Sequence, residues 1–319
     1  MELNLTGRSA DANWTIMLTI LADAEMILPD AVRERLKQWR FAQRLYERAV
    51  IIRQYRHRFG RRPNLRHPGT FSEKLAFKML YDRRPLLTQI ADKVRARDYV
   101  AQRIGSQFLS EIYQVCESVD QIRWEELPSS FAIKTNHGSK MNIMVYDKST
   151  LNKERTRSQL NIWLGRNFYY HLREWCYRDI RPMIMFEELL HNVPGQRPVE
   201  WKFYVFDGCT KYVEVSCGPD GDRKKTFYDR SLKRLNARWA IFPTSPEDPV
   251  FPENLDAMIS LAERLAHGLD FVRVDLYNVA GRIVFGELTS YPGAGLVAFE
   301  PPEFDRIFGQ TWRPPHKYQ

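Results

Sequence analysis

Alternation of apolar and polar residues predicts a pair of strands between residues 271 and 295. The segment reads FVRVDLYNVAGRIVFGELTSYPGAG, and its first half alternates polar residues with Val272, Val274 and Leu276. Because successive side chains of a strand point to opposite faces, Arg273 and Asp275 are expected to share one face. A second apolar run follows and carries Glu287 in its middle. Three charged residues therefore lie where a sheet usually buries apolar side chains.

The loop between these strands decides which residues face each other. Gly281 suits the left-handed third position of a three-residue loop at 279–281. In that register Arg273 faces Glu287, and Asp275 is a diagonal neighbour of Glu287 at roughly 7–8 Å. The two carboxylates are then close enough to hold one or two hydrated cations between them. The alternative is a plain ion pair between Arg273 and Glu287, which leaves Asp275 buried without a partner.

Hydrophobic spacing elsewhere predicts a mixture of helices and antiparallel strands. The expected helices cover 31–58, 70–81, 88–105 and 254–267, and the second begins with the capping box Thr70-x-x-Glu73. The expected strands lie in SSFAIKTNHG (129–138), NIMVYD (142–147), RPMIMFEELL (181–190), VEWKFYVFDG (199–208) and KYVEVSC (211–217). Regular alternation of strands and helices is missing, so we predict the α+β class rather than a parallel α/β sheet.

Composition indicates a globular protein and argues against two common site types. The chain has 319 residues, of which 44% are hydrophobic and 13% aromatic, enough for a large core. Four cysteines without CxxC spacing and seven histidines without a paired pattern give no sign of a disulfide framework or a zinc site. A reducing cytoplasm fits this composition. The apolar stretch 16–28 is interrupted by Asp23 and Glu25, so we expect an amphipathic helix rather than a signal peptide or membrane span.

Positive charge is concentrated near the N-terminus. The formal charge of the chain is +9, and the segment 33–66 contains only Glu34 and Glu47 as acids beside twelve basic residues, namely Arg33, Arg35, Lys37, Arg40, Arg44, Arg48, Arg53, Arg56, Arg58, Arg61, Arg62 and Arg66. This basic arm favours an anionic membrane surface or an acidic polysaccharide as partner, with nucleic acid less expected. The alternative is a solvated helix that packs on the body through Leu36, Trp39, Leu45 and Tyr46.

Several polar residues near strand ends are candidates for nucleotide binding. Lys134 precedes a turn that contains Gly138, and a lysine beside turn amides is a common phosphate site. Lys202 lies on another apolar strand, and Glu187 and Glu188 end a third, where they could face an adenine edge. Each signal is weak by itself, since an ordinary strand end with solvated charges explains it equally well.

Other nucleotide signatures do not fit the sequence. No GxxxxGK[ST] is present, and GAGLVA at 293–298 has too few residues after it for a dinucleotide-binding unit. YRDI at 177–180 shares only Arg178-Asp179 with a kinase catalytic loop. Asp220 and Asp222 form a D-x-D that could serve a glycosyltransferase, although its Gly/Pro-rich surroundings favour a simple turn.

Taken together, the motifs resemble the ATP-grasp superfamily, and more closely its TupA-like branch, which is associated with cell-surface polysaccharide biosynthesis. The resemblance rests on FGRRPNLRHPGTFSEKLAFKMLYDRRPL, ADKVRARDYV, FAIKTNHGSKMNI, LNIWLGRNFYYHLREWCYRDIRPMIMFEELL, WKFYVFDG, TFYD and the strand pair described first, between about Tyr55 and Gly309. It implies a nucleotide clamped between two α+β subdomains. The implied division is a basic helical extension (1–66), a helical pre-grasp region (67–127), a lid (128–186) and a C-terminal catalytic subdomain (187–319).

The resemblance also implies roles for individual residues. Lys134 and Lys202 would contact the phosphates of ATP, Lys93 would lie near the phosphate path, and Gly138 would belong to the nucleotide-binding turn. Glu187 and Glu188 would flank the adenine and ribose. Asp275, Glu287 and Thr289 would hold Mg²⁺, with Thr289 standing where many ATP-grasp enzymes have Asn, and Arg273 would stabilise the substrate carboxylate.

The activity that the resemblance implies is ADP-forming ligation of a carboxylate to an amine through an acyl phosphate. For this branch the expected acceptors are uronic acids or amino acids of a surface polysaccharide. Two other classes remain open at this stage: a glycosyltransferase that uses the D-x-D, and a non-catalytic adaptor that binds a membrane or a glycan through the basic arm.

Overall fold

A computed structural model describes residues 40–190, 198–218, 222–315 and 318 of the chain. The helices, in chain order, are α1 (Arg40–Phe59), α2 (Phe71–Tyr81), α3 (Pro85–Ala91), α4 (Ala96–Arg103), α5 (Lys153–Leu164), α6 (Tyr169–Leu172), α7 (Leu255–Ala266) and α8 (Glu303–Gln310). The strands are β1 (Ile112–Cys116), β2 (Phe131–Thr135), β3 (Asn142–Val145), β4 (Ile184–Glu187), β5 (Glu200–Phe206), β6 (Cys209–Cys217), β7 (Lys224–Asp229), β8 (Arg238–Trp239), β9 (Phe271–Val279), β10 (Arg282–Thr289) and β11 (Phe299–Glu300).

The smaller sheet has four antiparallel strands in the order β1-β4-β2-β3. Helix α5 packs on it through Leu160 and Trp163, which join Phe131, Ile133 and Phe186 in one buried cluster. This sheet begins with β1, which lies in the sequence before residue 128. The first α+β unit therefore includes a strand from the segment 67–127, which was expected to be a helical pre-grasp region. The division of the chain into four parts, at residues 66, 127 and 186, stays a prediction.

The larger sheet has five antiparallel strands in the order β10-β9-β5-β6-β7. One face is apolar, with Phe203, Val213 and Val274 fully buried against Met258 and Leu265 of α7. Full burial of each such side chain contributes about 1.5–3 kcal/mol relative to an exposed position. The opposite face carries the polar residues of the same strands. Period-two alternation thus separates a core face from a face available for chemistry.

The predicted strand pair forms, but its register differs from the sequence-based expectation. The loop has two residues, Ala280 and Gly281, both with positive φ, and not three. A bulge at Gly286 shifts the pairing, so that Glu287 lies directly opposite Asp275 and Arg273 lies opposite Thr289. The predicted pairing of Arg273 with Glu287 is therefore wrong. Two left-handed residues make the tight turn, and the bulge absorbs the extra residue.

Two helix predictions hold and one does not. The capping box is present at the start of α2: Glu73 N–H donates to Thr70 Oγ1, and the Glu73 carboxylate accepts from Thr70 N–H. Helix α7 matches the expected 254–267 within a residue at each end. The single helix expected over 88–105 is instead split into α3 and α4 by a turn at 92–95.

Helix α1 packs on the body through one stripe and leaves most of its arginines exposed. Ile51 and Tyr55 are buried in the main core, and Glu47 is buried between Arg83 and the Tyr169 hydroxyl. The buried positions follow i, i+4 spacing, which lays one face of the helix on the body. Of the four residues expected to pack, Leu45 and Tyr46 are half-buried, while Leu36 and Trp39 lie outside the described residues, as does the apolar stretch 16–28.

No helix in the described part of the chain is long and apolar enough to cross a membrane.

Candidate ATP and magnesium site

A cleft of about 1270 Å³ lies between the polar face of the larger sheet and the smaller sheet. Every residue to which the ATP-grasp resemblance assigns a nucleotide, metal or catalytic role lines this cleft. These residues are Lys93, Lys134, Gly138, Glu187, Glu188, Lys202, Arg273, Asp275, Glu287 and Thr289. They come from both sheets and from the turn between α3 and α4, so the fold brings together positions up to 196 residues apart in the sequence.

Asp275 lines the cleft and is paired with two cations, Arg273 and Lys202. Arg273 donates from Nε and Nη2 to its two carboxylate oxygens, both at 2.7 Å, and Lys202 Nζ donates to Oδ2 at 2.7 Å. Asp275 is only 1% exposed. Burial raises the pKa of Asp275, and the two cations oppose that shift. The alternative in which Arg273 pairs with Glu287 and leaves Asp275 without a partner is therefore wrong, because Arg273 and Lys202 both pair with Asp275.

Lys202 bridges two carboxylates on neighbouring strands. Its Nζ lies 2.7 Å from Glu200 Oε2 as well as 2.7 Å from Asp275 Oδ2. Burial alone would lower the pKa of Lys202, but Asp275 and Glu200 outweigh burial and raise it. Burial likewise opposes ionisation of Glu200, yet Lys202 and Arg273 lower its pKa to about 2. Lys202 is thus held as a charged ammonium on the cleft floor.

Glu287 and Thr289 lie on the edge strand β10. They are next to Asp275, which belongs to the neighbouring strand β9. The Thr289 hydroxyl donates to Glu287 Oε1 at 2.9 Å and accepts from Arg273 Nη2 at 3.0 Å. Burial opposes ionisation of Glu287, but Lys93 and Arg273 more than compensate and lower its pKa. Glu287 is therefore an anionic oxygen donor directly across the strand pair from Asp275.

The oxygen donors fit a magnesium ion that also binds phosphate. Within the described residues no group of three or more His, Cys, Asp or Glu side chains converges as a complete metal cage. Mg²⁺ commonly binds through one or two carboxylates and completes its shell with water and substrate phosphate oxygens. Asp275 and Glu287 on directly opposed positions supply such a pair. Arg273 engages both Asp275 and Thr289, and Thr289 also donates to Glu287, so the assignment of these three residues to magnesium stays a prediction.

Lys93 reaches the cleft because the helix expected around it is interrupted. Asp92 Oδ1 accepts from Val94 N–H at 3.0 Å and from the Asn136 amide at 2.9 Å, which stabilises the turn between α3 and α4. Lys93 Nζ then donates to the Gly138 carbonyl on the same wall of the cleft. Burial lowers the pKa of Lys93. A continuous helix would have left this backbone unable to turn towards Asn136.

The turn after β2 needs glycine at 138. A Cβ there would lie 2.4 Å from Met141 Cε and 2.8 Å from a ring carbon of Phe168. The turn is also tight at Lys140, which has φ of 60° and an exposed side chain at the cleft mouth. The turn lies next to Lys93, which donates to the Gly138 carbonyl, and lines the cleft together with Lys134.

The two acids at the end of β4 have different environments. Glu187 is buried, pairs with Lys134, and accepts from the Ser110 hydroxyl at 2.8 Å. Glu188 is half-buried and forms two hydrogen bonds with the Arg282 guanidinium, which with the Glu111 amide lower its pKa. Both residues line the cleft at the C-terminal end of β4, which is the end far from the turn at Gly138. They border the apolar Leu189 there. Their assignment to adenine and ribose remains a prediction.

The sequence reading missed four charged residues of this region. Glu200 and Lys225 line the cleft. Glu214 is fully buried between Lys225, the Tyr204 hydroxyl and the Trp239 indole. Burial opposes the ionisation of Glu214, but the nearby cations, Lys225 first, and the Trp239 hydrogen bond lower its pKa to about 2. Glu174 lines the lid side, where burial and Glu287 raise its pKa to about 8. Alternation in β5 and β6 would have revealed Glu200 and Glu214, since both share a face with Lys202.

The D-x-D does not gain support from the structure. Asp220 lies outside the described residues, and Asp222 is exposed and does not line the cleft.

Comparison with known proteins identifies the family of the chain. The model of the TupA-like ATP-grasp family matches residues 73–313. Among solved structures, the chain is similar to the ATP-grasp ligase PsnB with a phosphomimetic variant of its minimal precursor, Mg and ADP, at 13% identity and a TM-score of 0.44, covering 90% of this chain and 75% of that one. D-alanine–D-alanine ligase from Bacillus anthracis complexed with ATP is similar at 12% identity and a TM-score of 0.40, covering 64% and 57%.

A third similar structure is the D-cycloserine synthetase DcsG, at 15% identity and a TM-score of 0.38, covering 64% of this chain and 63% of that one. The chain thus spans less than two thirds of the D-alanine–D-alanine ligase and of DcsG. A search of curated proteins found no significant match. The family model covers about three quarters of the chain, including both sheets and the whole cleft, and the chain therefore belongs to the TupA-like ATP-grasp family.

Proposed function

We propose that this protein is an ADP-forming, ATP-dependent ligase that joins a carboxylate to an amine. The observation that carries the proposal is the opposed pair Asp275 and Glu287, flanked by Lys202 and Arg273 on one wall of a cleft and faced by Lys134 and Lys93 on the other. Four cations around two acids suit a polyphosphate that approaches with one or two metal ions.

Each residue has a distinct part in the proposed reaction. Lys134 and Lys202 bind the phosphates from opposite walls, and Lys93 lies between them beside the Gly138 carbonyl. Asp275 and Glu287 hold magnesium, which neutralises the charge that develops on the transferred phosphoryl group. Arg273, held in place by Asp275 and Thr289, orients the substrate carboxylate through its planar guanidinium.

The proposed reaction has two steps. A substrate carboxylate oxygen forms a bond to the γ-phosphorus while the bond to ADP breaks, giving an acyl phosphate. The nitrogen of an amine then attacks the acyl carbon, inorganic phosphate leaves, and the amine loses a proton. Arg273 and Lys202 stabilise the oxyanion of the second step because they are already fixed on the cleft floor.

We further propose a uronic acid or amino acid of a surface polysaccharide as the acceptor. This acceptor is the one that the resemblance to the TupA-like branch implies, and the exposed basic residues Lys140 and Arg166 of the cleft lining suit an acidic substrate. The four cysteines are unpaired, which fits a reducing compartment where ATP is available, and we propose the cytoplasm as the site of action.

A screen with hydroxylamine as surrogate amine tests this proposal. Purified protein, ATP and Mg²⁺ are incubated with a panel of uronic and amino acids, and ADP release and hydroxamate formation are measured. The expected result is a hydroxamate from at least one acid, with ADP as the nucleotide product and no activity without a divalent ion. Formation of AMP and pyrophosphate, or sugar transfer without ATP use, contradicts it.

A further inference from the structure

One acid of the cleft differs from the others because its carboxylate has no partner. Glu174 lines the cleft from the segment after α6 and is only 7% exposed. Among the residues that the structure describes, none donates a hydrogen bond to this carboxylate or forms an ion pair with it. A buried carboxylate that lacks a partner is costly. Its position on a cleft wall therefore indicates a ligand that supplies the missing donor.

The other acids of the cleft lining are engaged within the same described part of the chain. Their partners are Lys134 for Glu187, Arg282 for Glu188, Lys202 for Glu200, Arg273 and Lys202 for Asp275, and the Thr289 hydroxyl for Glu287. Burial first, and then Glu287, raise the pKa of Glu174 to about 8, as expected for an acid that its surroundings do not compensate. Glu174 is thus the acid of the cleft that is left for a cationic ligand.

The backbone holds Glu174 in place from its N-terminal side. Arg173 has a left-handed conformation, with φ of 60°, which residues other than glycine rarely adopt. Its buried guanidinium donates to the Tyr46 hydroxyl at 3.1 Å and lies 5.1 Å and 5.2 Å from the ring centroids of Tyr169 and Tyr170. Such a conformation persists where the surrounding contacts over-determine it. Arg173 therefore fixes the direction in which the next residue leaves the chain.

The C-terminal side of Glu174 is fixed by Trp175. The guanidinium groups of Arg83 and Arg178 lie 4.0 Å and 4.7 Å from the centroid of the Trp175 ring, close enough for cation–π contacts. Tyr177 N–H donates to the Glu174 carbonyl at 3.1 Å and closes the turn. With both neighbours anchored, the backbone has little freedom to carry the Glu174 carboxylate away from the cleft.

The unpaired acid lies close to the groups proposed for the ligation. Burial raises the pKa of Tyr177, and the charges of Glu174 and Glu287 add to this rise. Arg273 opposes the rise, so these four groups lie near one another across the cleft. In the proposed reaction ATP and the acid are anions, which suit the cations of the cleft. The remaining substrate is an amine, which carries N–H donors and, when protonated, a positive charge.

We propose that Glu174 binds the amino group of the second substrate and holds it beside the acyl phosphate. This inference rests on the proposed ligase function and adds the residue that selects the nucleophile. The substrate class is a primary amine that reaches the cleft as a cation. Its ammonium group supplies the hydrogen-bond donors and the countercharge that Glu174 lacks.

The variant Glu174→Gln separates binding of the amine from formation of the acyl phosphate. ADP release is measured with the acid that gives a hydroxamate in the screen described above. The amines are ethanolamine, glycine, lysine and glucosamine, which carry an ammonium group at neutral pH, and hydroxylamine, which is largely uncharged there. In the variant, the KM for the best cationic amine should rise at least about tenfold. The KM for ATP, the KM for the acid and the turnover with hydroxylamine should stay within about twofold of the wild type.

A conservative variant and the wild type itself provide further tests. Glu174→Asp keeps the charge on a shorter side chain and should recover part of the affinity for the cationic amine. An unchanged KM for that amine in Glu174→Gln overturns the proposal. So does a wild type that uses hydroxylamine but none of the cationic amines.

Thermal unfolding distinguishes a binding role from a structural one. Glu174→Gln should melt at or above the temperature of the wild type, because Glu174 has no partner to lose and a functional acid is often held at a cost in stability. The matched control is Glu263→Gln, outside the cleft lining, where the carboxylate pairs with Arg230 and accepts from Thr210 N–H at 2.8 Å. The control should melt lower and keep the amine KM within about twofold. A lower melting temperature of Glu174→Gln with an unchanged amine KM shows a structural acid and contradicts the proposal.

Magnesium dependence separates an amine site from a metal site. The Mg²⁺ concentration that gives half-maximal ADP release with hydroxylamine should be equal in the wild type and in Glu174→Gln. A several-fold increase in the variant assigns Glu174 to the metal and overturns its role in amine binding. Normal hydroxamate formation with an unchanged amine KM contradicts the role of Glu174 alone. Absence of ADP release from every acid in the wild type contradicts the ligase function itself and removes the basis of the amine assignment.

Discussion

At the scale of single residues, the site depends on how buried charges are compensated. Asp275 would be costly in the interior of a sheet if it stood alone, because an ionised carboxylate loses its hydration there. Arg273 and Lys202 supply three hydrogen bonds to it at 2.7 Å. The dependence runs in both directions, since these two cations are also buried and rely on Asp275 for countercharge. Asp275 is therefore structural as well as a metal-ligand candidate.

Replacing Asp275 by Asn should cost both stability and activity. The amide cannot balance Arg273 and Lys202, and removal of one partner from a buried ion pair costs about 3–5 kcal/mol. Urea unfolding at neutral pH without nucleotide measures this loss, and ADP release below the melting temperature should be nearly abolished.

The control for that measurement is Glu188→Gln. Its partner Arg282 has a side chain that is 45% exposed, so the loss of this pair should cost less than about 1 kcal/mol. An Asp275→Asn protein that is as stable as the wild type would show that Arg273 and Lys202 do not depend on this carboxylate.

At the scale of elements, a bulge and a broken helix place the functional groups. Gly286 interrupts the pairing of β9 and β10, and this interruption sets Glu287 opposite Asp275. The turn between α3 and α4 brings Lys93 to the opposite wall. In both cases an irregularity in a regular element aims a side chain at the cleft, which is a common use of bulges.

The variant Gly286→Ala should disturb the strand pair and the metal site together. An added Cβ would lie 2.9 Å from the Tyr277 ring and 3.0 Å from the Asp275 carbonyl, so the strands must move apart. We expect a loss of about 1–3 kcal/mol in unfolding free energy, as for other overpacked sites. ADP release should fall at least about tenfold, because the two carboxylates separate.

Gly281→Ala in the turn of the same strand pair is the comparison. Gly281 has φ of 87° with open space around it, so alanine there costs about 1–2 kcal/mol through its backbone conformation alone. Its activity should remain near that of the wild type. Equal activity in the Gly286 and Gly281 variants would mean that the bulge does not set the geometry of the site.

At the scale of the whole molecule, the cleft is made by two sheets that face each other. Lys134 belongs to the smaller sheet and Lys202 to the larger one. A nucleotide that contacts both lysines links two cores, the one around Phe186 and the one around Val274. Binding energy then appears as stability of the entire fold, since only the folded chain presents both walls.

ATP with Mg²⁺ should therefore raise the melting temperature, and either lysine variant should reduce this rise. At a ligand concentration of about 100 times Kd, binding adds about 2.7 kcal/mol to the stability of the folded state. Lys134→Ala and Lys202→Ala should weaken ATP binding or turnover by about 10- to 1000-fold, as loss of a positioned charge does. Differential scanning fluorimetry with and without nucleotide measures the rise.

Lys211→Ala, at an exposed position on β6, serves as the control and should keep the wild-type rise. Lys202→Ala also lowers the melting temperature without ligand, because Glu200 and Asp275 lose their shared cation, so the ligand-induced difference is the quantity to compare. A full rise in both lysine variants would refute their assignment to the phosphates.

Local patterns in the sequence were sufficient for the elements and for the composition of the site. Alternation in 271–295 predicted the two strands, and the capping box predicted the start of α2, because both reflect contacts between residues close in sequence. The ATP-grasp resemblance was confirmed at the level of family and fold. All of the residues assigned by the ATP-grasp resemblance came together in one cleft, although their individual roles remain predictions.

The tertiary structure alone decided the register and the partners of the buried charges. Gly286 within the strand pattern is a local sign of a bulge, but the pairing of Glu287 with Asp275 is visible only once β9 and β10 lie side by side. Lys202 and Asp275 are 73 residues apart, so their ion pair is visible only once β5 and β9 lie side by side. The sequence thus determined which groups face the cleft, because side-chain direction follows local backbone periodicity. Which groups neutralise one another depends on distances in space, and folding alone sets those distances.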